Sequence, residues 1–137
     1  IDMCKLSIDS SFSEIRLASE ILYKYCETHD IAIDLQGQLE LMLVEALNNV
    51  VEHAYLEKAG SPIKIELEMV DQNALMKITD QGIAAPGSVM MKGSELPDVA
   101  ALPEGGWGLC LIQALADNIE YHRFPKHNVL TLTKGTN

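Results

Sequence analysis

Glu45-Ala46-Leu47-Asn48-Asn49-Val50-Val51-Glu52-His53-Ala54-Tyr55 is the stretch on which the fold turns. From Leu41 onward nearly every position here is apolar, and the exceptions are Glu45, Asn48, Asn49, Glu52 and His53. On a helix turning about 100° per residue, these five polar residues fall within one sector of roughly 140°. Solvated helix faces usually mix Lys with Glu, yet this stripe holds no Lys or Arg. Glu and Asn are hard oxygen donors of the kind that Mg²⁺ uses alongside substrate phosphates. A Glu one turn before an Asn can act as a base beside a metal ligand. A plain solvated face is the competing reading.

Working outward, Asp34 is the expected N-cap of this helix, which spans about 35–57 and ends near Lys58-Ala59-Gly60. Upstream, Cys4, Leu6 and Ile8 alternate over a strand at 3–8. Ser11-x-x-Glu14 is a capping-box pattern, and Phe12, Ile15, Ala18, Leu22 and Tyr25 recur at helical spacing, so 11–28 is a helix. Downstream, Ile63, Ile65, Leu67 and Met69 alternate with Lys64, Glu66 and Glu68 in a strand. Asp71-Gln72-Asn73 turns the chain into a second strand at about 74–80, which predicts a hairpin. Residues 81–106 hold three Pro and five Gly without periodicity, and a connection of that length is usually functional, a lid for example. A short helix over 107–117 and strands at 118–124 and 128–134 complete the chain. Hairpins with segregated helices predict an α+β two-layer sandwich.

Two further constellations carry chemistry. Asp80-Gln81-Gly82 closes a strand, where an Asp can accept from an exocyclic amine and a Gly lets a flat ligand approach. Turn chemistry alone also explains it. Gly105-Gly106-Trp107-Gly108-Leu109 opens the short helix, where N–H groups and the helix dipole favour an anion. The alternative there is a loop end that needs glycine for its turn. No Lys-Ser/Thr follows, so it is not a Walker A loop, and it lacks the dinucleotide fingerprint. Taken together, these features supply a metal ligand, a base, an amine acceptor and a phosphate cradle, the four needs of an ATP site.

The chain of 137 residues carries 20 Asp+Glu against 10 Lys+Arg, a formal charge of -10. That balance argues against a general nucleic-acid binder and against docking on an anionic membrane. The longest charge-free stretch, Gly105–Ala116, is too short for a membrane span. Cys4, Cys26 and Cys110 form no Cys-x-x-Cys and are odd in number, so buried thiols in a reducing cytoplasm are expected.

The quoted helix resembles the N box of GHKL-type ATP-binding domains, which include the histidine-kinase-like ATPases. Ile78-Thr79-Asp80-Gln81-Gly82 resembles the first glycine box, and Gly106-Trp107-Gly108-Leu109-Cys110-Leu111-Ile112 the second. Within that superfamily the chain looks most like the anti-sigma factor serine/threonine kinases of partner-switching systems. The resemblance implies one ATP-binding kinase domain over 1–137, with a mixed, mostly antiparallel sheet, three helices and a lid at about 83–106. It implies that Asn49 ligates Mg²⁺ and that Glu45 is the general base. Asp80 would accept from the adenine amine with Gly82 under the ring, and Gly106, Gly108 and Leu109 would hold the nucleotide at the helix start. Arg16 becomes a candidate partner contact, and His53 a structural residue.

The implied activity is ATP- and Mg²⁺-dependent phosphorylation of a small STAS-type antagonist, together with sequestration of a sigma factor, by a cytoplasmic homodimer. Two departures stand out: Ala84 replaces a glycine common in relatives, and Trp107 replaces a basic or small residue. They keep two alternatives open, a non-catalytic ATP-binding module that sequesters partners and a detached histidine-kinase ATPase domain.

Overall fold

A computed structural model describes residues 3–84, 91–92 and 109–136 of the chain. Six strands form one sheet in the order β1-β2-β3-β6-β5-β4, with every pairing antiparallel. The strands are β1 (Met3–Asp9), β2 (Pro62–Val70), β3 (Asn73–Asp80), β4 (Met91–Lys92), β5 (Asn118–Arg123) and β6 (Asn128–Gly135). Helices α1 (Phe12–Thr28), α2 (Ile33–Asn49) and α3 (Leu109–Leu115) pack on one face. The α+β two-layer sandwich is as expected, and the parallel component that a mixed sheet would need is absent among the described strands.

Alternation decides which face of the sheet is covered. Ile63, Ile65 and Leu67 of β2 and Met76 and Ile78 of β3 are fully buried against Leu39, Met42, Leu43 and Leu47 of α2. Lys64 and Lys77, on the opposite face, are exposed. Asp71 (φ 50°) and Gln72 (φ 66°) make a two-residue turn between β2 and β3. That left-handed pair matches the twist of a hairpin, and it forms without glycine. The strand after it therefore starts at Asn73, one residue before the expected 74.

Several expectations shift on contact with the structure. Phe12 is 45% exposed, and the buried stripe of α1 runs Ile15, Ala18, Leu22 and Cys26 instead. Ser11 is the N-cap of α1, but its hydroxyl meets Ser13 Oγ at 2.9 Å, while the Glu14 carboxylate reaches back to the Asp9 N–H at 2.8 Å. Ala32, not Asp34, caps α2, because Gln36 N–H already bonds the Ala32 carbonyl and places Asp34 in the first turn. Near its other end the helix widens into a π segment, Val50–Ala54, closed by Tyr55 N–H on the Val50 carbonyl at 2.9 Å. Left-handed Leu56 (φ 53°) and Glu57 (φ 61°) then stop it, short of the expected 57.

The lid expected over 83–106 lies mostly outside the described residues. Within it, Met91–Lys92 forms strand β4 against Tyr121 and Glu120, an element absent from the sequence reading. Helix α3 is described over Leu109–Leu115, and the expected start at 107 lies outside the described residues. Gly106, Trp107 and Gly108 fall outside the described residues.

A candidate nucleotide site at the end of the long helix

Asp80 closes β3 with the parity of Ile78 and Met76, so it faces the helical layer and is 6% exposed. Its Oδ1 accepts the Gly82 N–H at 2.8 Å and the Asn128 Nδ2 at 3.0 Å. Both donors land on Oδ1, so Oδ2 has no donor of its own among the described residues. Burial raises the Asp80 carboxyl above its ordinary value, opposed by the two hydrogen bonds and by His127. Asn128 also donates to the Gly82 carbonyl at 3.0 Å, tying the first residue of β6 to the turn. The arrangement holds a carboxylate oxygen at the inner edge of the sheet, where an exocyclic amine could donate to it.

The turn is locked to the helix end. Ile83 N–H bonds the Ala54 carbonyl at 2.9 Å, and the Tyr55 hydroxyl accepts the Gln81 N–H at 2.7 Å while donating to the Pro62 carbonyl at 2.7 Å. A Cβ on Gly82 would overlap the Ala54 carbonyl oxygen, with the carbonyl carbon only 2.6 Å away. Glycine is therefore demanded at 82 by the protein's own backbone, a reason the sequence reading did not contain. Burial also raises the Tyr55 phenol above its usual value, with Asp80 adding to the rise and the Gln81 N–H opposing it.

Glu45 and Asn49 lie one turn apart on α2, and both are half-buried. Asn48 and His53 are half-buried too, but Glu52 is exposed, so the polar stripe does not stay intact through the π segment. His53 Nε2 lies 3.4 Å from the Glu52 carboxylate. Asn49 is the last α-helical residue, five positions before Ala54, whose carbonyl anchors the Asp80 turn. Helix α3 packs on α2 and sends Ile112 fully into the core. Of the remaining candidates, Leu109 lies in α3 and Arg16 is exposed on α1, whereas Gly106 and Gly108 fall outside the described residues.

Two residues that hold this site together, Asn128 and Tyr55, were not singled out from sequence. Alternation carried a signal for the first, since Asn128 shares the parity of Leu130 and Leu132 and so belongs on the inner face. Nothing comparable marked Tyr55, whose hydroxyl joins Pro62 at the start of β2 to Gln81 just past the end of β3.

A family model described as the histidine kinase-like ATPase domain matches residues 9–134. The chain belongs to that family. Among curated proteins, it is 31% identical over 93 residues to the serine-protein kinase RsbW of Bacillus mycoides, covering 65% of this chain and 58% of the relative. It is 30% identical over 108 residues to the serine-protein kinase RsbW of Halalkalibacterium halodurans, covering 76% and 60%. The chain thus spans about three-fifths of the length of these relatives. A crystal structure of the RsbU and RsbW domains of a Mycobacterium tuberculosis protein matches with a TM-score of 0.72 at 16% identity, covering 98% of this chain and 32% of that one. The expected GHKL superfamily and its fold are borne out, and the relatives carry the names of the expected serine-kinase branch. Among the described residues no helix is long and apolar enough to cross a membrane.

Proposed function

We propose that the chain is one ATP-binding kinase domain that phosphorylates a serine or threonine of a partner protein. The observation that carries this reading is the half-buried Glu45–Asn49 pair on a helix whose end is bolted to the Asp80 turn. Relatives named as serine-protein kinases support it. Asp80 Oδ2 receives the adenine amine, Gly82 lies beneath the ring, and Gly106, Gly108 and Leu109 hold the phosphates. Glu45 takes the proton of the acceptor hydroxyl as its oxygen bonds to the γ-phosphorus and ADP leaves.

Magnesium fits the donor set. Among the described residues no cluster of three or more His, Cys, Asp or Glu side chains could hold a metal alone. An ion that keeps phosphate and water ligands needs only one or two hard protein oxygens, and the Asn49 amide supplies one. When bound there, Mg²⁺ neutralises charge on the triphosphate.

In the cell, this reading makes the protein a cytoplasmic anti-sigma factor. It sequesters a sigma factor and phosphorylates a small STAS-type antagonist. Exposed Arg16 on α1 is the proposed partner contact, and exposed Phe12, Leu17 and Tyr23 on the same helix offer apolar surface to a homodimer.

The test is transfer of labelled γ-phosphate from ATP to a protein co-purified from the native cell in the presence of ADP. An acid-stable phosphoester is the expected product. An acid-labile phosphoramidate would support the detached histidine-kinase domain, and nucleotide binding without transfer would support the non-catalytic module. Glu45→Ala is expected to keep ATP affinity while transfer falls by roughly two to four orders of magnitude. Transfer at the wild-type rate would remove Glu45 from the role of base.

A further inference from the structure

The sheet face turned away from the helices carries a second feature. A groove of about 480 Å³ crosses it, lined by Ser7, Lys64, Thr79, Gln81, Lys126 and His127. Ser7, Lys64 and Thr79 stand side by side on three adjacent strands, as the register Ser7↔Lys64 and Lys64↔Thr79 shows. Lys126 and His127 enter from the turn between β5 and β6, where Phe124 and His127 stack at 4.6 Å. No Asp or Glu among the described residues lines the groove. Among the described residues neither Lys64 nor Lys126 has a carboxylate within 4.0 Å. Carboxylates also stand nearby on this face: Glu66, between Lys5 and Lys77 in the register, and Asp9, opposite the groove-lining Pro62, with its Oδ2 accepting the Gly60 N–H at 3.1 Å.

This local surplus of positive charge sits on a chain whose net charge is -10. Lysines held apart from carboxylates in such a chain concentrate a favourable potential at one place on an otherwise repulsive surface. The overall charge disfavours a nucleic acid, whose binding needs an extended basic footprint. The groove's volume exceeds what a single small anion fills and is suited to a few side chains, with the Ser7 and Thr79 hydroxyls able to donate alongside the lysines.

We infer that this groove docks an acidic segment of a partner protein, with its carboxylates on Lys64 and Lys126. The occupant would rest against Gln81, whose backbone N–H is held by Tyr55 beside Asp80, and so lie behind the turn of the candidate nucleotide site. Docking here needs no nucleotide chemistry, so it stands or falls apart from the kinase reading.

The probe is a fluorescein-labelled octaglutamate peptide, followed by anisotropy with the full chain at 50 and 200 mM salt. Lys64→Glu/Lys126→Glu is compared with Lys24→Glu/Lys58→Glu, which makes the same charge change on exposed lysines outside the groove. Circular dichroism melting confirms that both variants fold, and ATP-induced thermal shift follows the nucleotide site separately. The expected result is binding that weakens at higher salt, falls at least tenfold in the groove variant and changes less than threefold in the control. No binding by the wild-type chain, or equal weakening in both variants, would overturn the inference. So would full displacement by inorganic phosphate at matched ionic strength, which would mark a small-anion site.

Discussion

Asn128 Nδ2 donates to Asp80 Oδ1 at 3.0 Å, joining the last residue of β3 to the first of β6 across a register pair. Both side chains are buried, at 3% and 6% exposure. Removing one partner of a buried hydrogen bond costs about 1–3 kcal/mol, more when the group left behind is charged. Asn128→Ala is expected to destabilise the chain by about 2 kcal/mol in urea unfolding. It should also weaken ATP binding, because Asp80 loses the donor that aims it. Unchanged stability and unchanged affinity would show that the pair orients nothing.

Asp80→Asn separates charge from shape. The amide oxygen can still accept from Gly82 and Asn128, but an NH₂ replaces Oδ2 and opposes an incoming amine. ATP affinity should fall at least about tenfold, or about 1.4 kcal/mol. The pH dependence follows from the raised carboxyl of Asp80. A raised folded value means the native state binds the proton more tightly than the unfolded chain. That stabilisation is fully present below the unfolded value and is lost as pH rises through the folded one. Stability of the wild type relative to Asp80→Asn should therefore decline as pH rises from about 4, and a rise instead would contradict the burial argument.

Glycines 82 and 37 predict opposite outcomes for the same substitution. At Gly82 a Cβ would run into the Ala54 backbone, whereas at Gly37, exposed within α2, nothing lies within 4 Å. Gly82→Ala should cost about 1–3 kcal/mol through overpacking. Gly37→Ala should gain about 0.5–1 kcal/mol through helix propensity. Thermal melts of the two variants side by side make the comparison.

Tyr55→Phe removes one hydroxyl and two bonds, to the Gln81 N–H and the Pro62 carbonyl. The expected loss is about 1–3 kcal/mol. Amide exchange should locate it, since protection at Gln81 drops more than protection within β3. Uniform loss across the sheet would mean that the hydroxyl serves general stability alone.

Cys26 is fully buried, and burial pushes its thiol up to about 11. Residue-resolved maleimide labelling at pH 8 should modify half-buried Cys4 well before Cys26. The native preference for the neutral thiol is complete below the unfolded value and is lost as pH rises through about 11.

Much of this was legible in the residues because simple periodicities govern it. The alternation of Ile63, Ile65 and Leu67 placed β2, and the helical spacing of Ile15, Ala18 and Leu22 placed α1. Glu45, Asn49 and Asp80 could be singled out because each interrupts an apolar pattern with a chemically specific group. Phe12 fits its helical period yet faces solvent, since a period says nothing of where the neighbouring layer ends. The π segment was invisible because a one-residue widening leaves no mark in composition. The bonds of Tyr55 and Asn128 join residues 26 and 48 positions apart, and such pairings arise only from the assembled sheet.

The Ala54 carbonyl takes the Ile83 N–H and leaves no space for a methyl group at 82. Helix terminus and strand turn are consequently a single casting with no joint between them. Under the proposed function, the groups that meet the base at Asp80 and the phosphates near Asn49 would hang from one continuous backbone connection through Ala54.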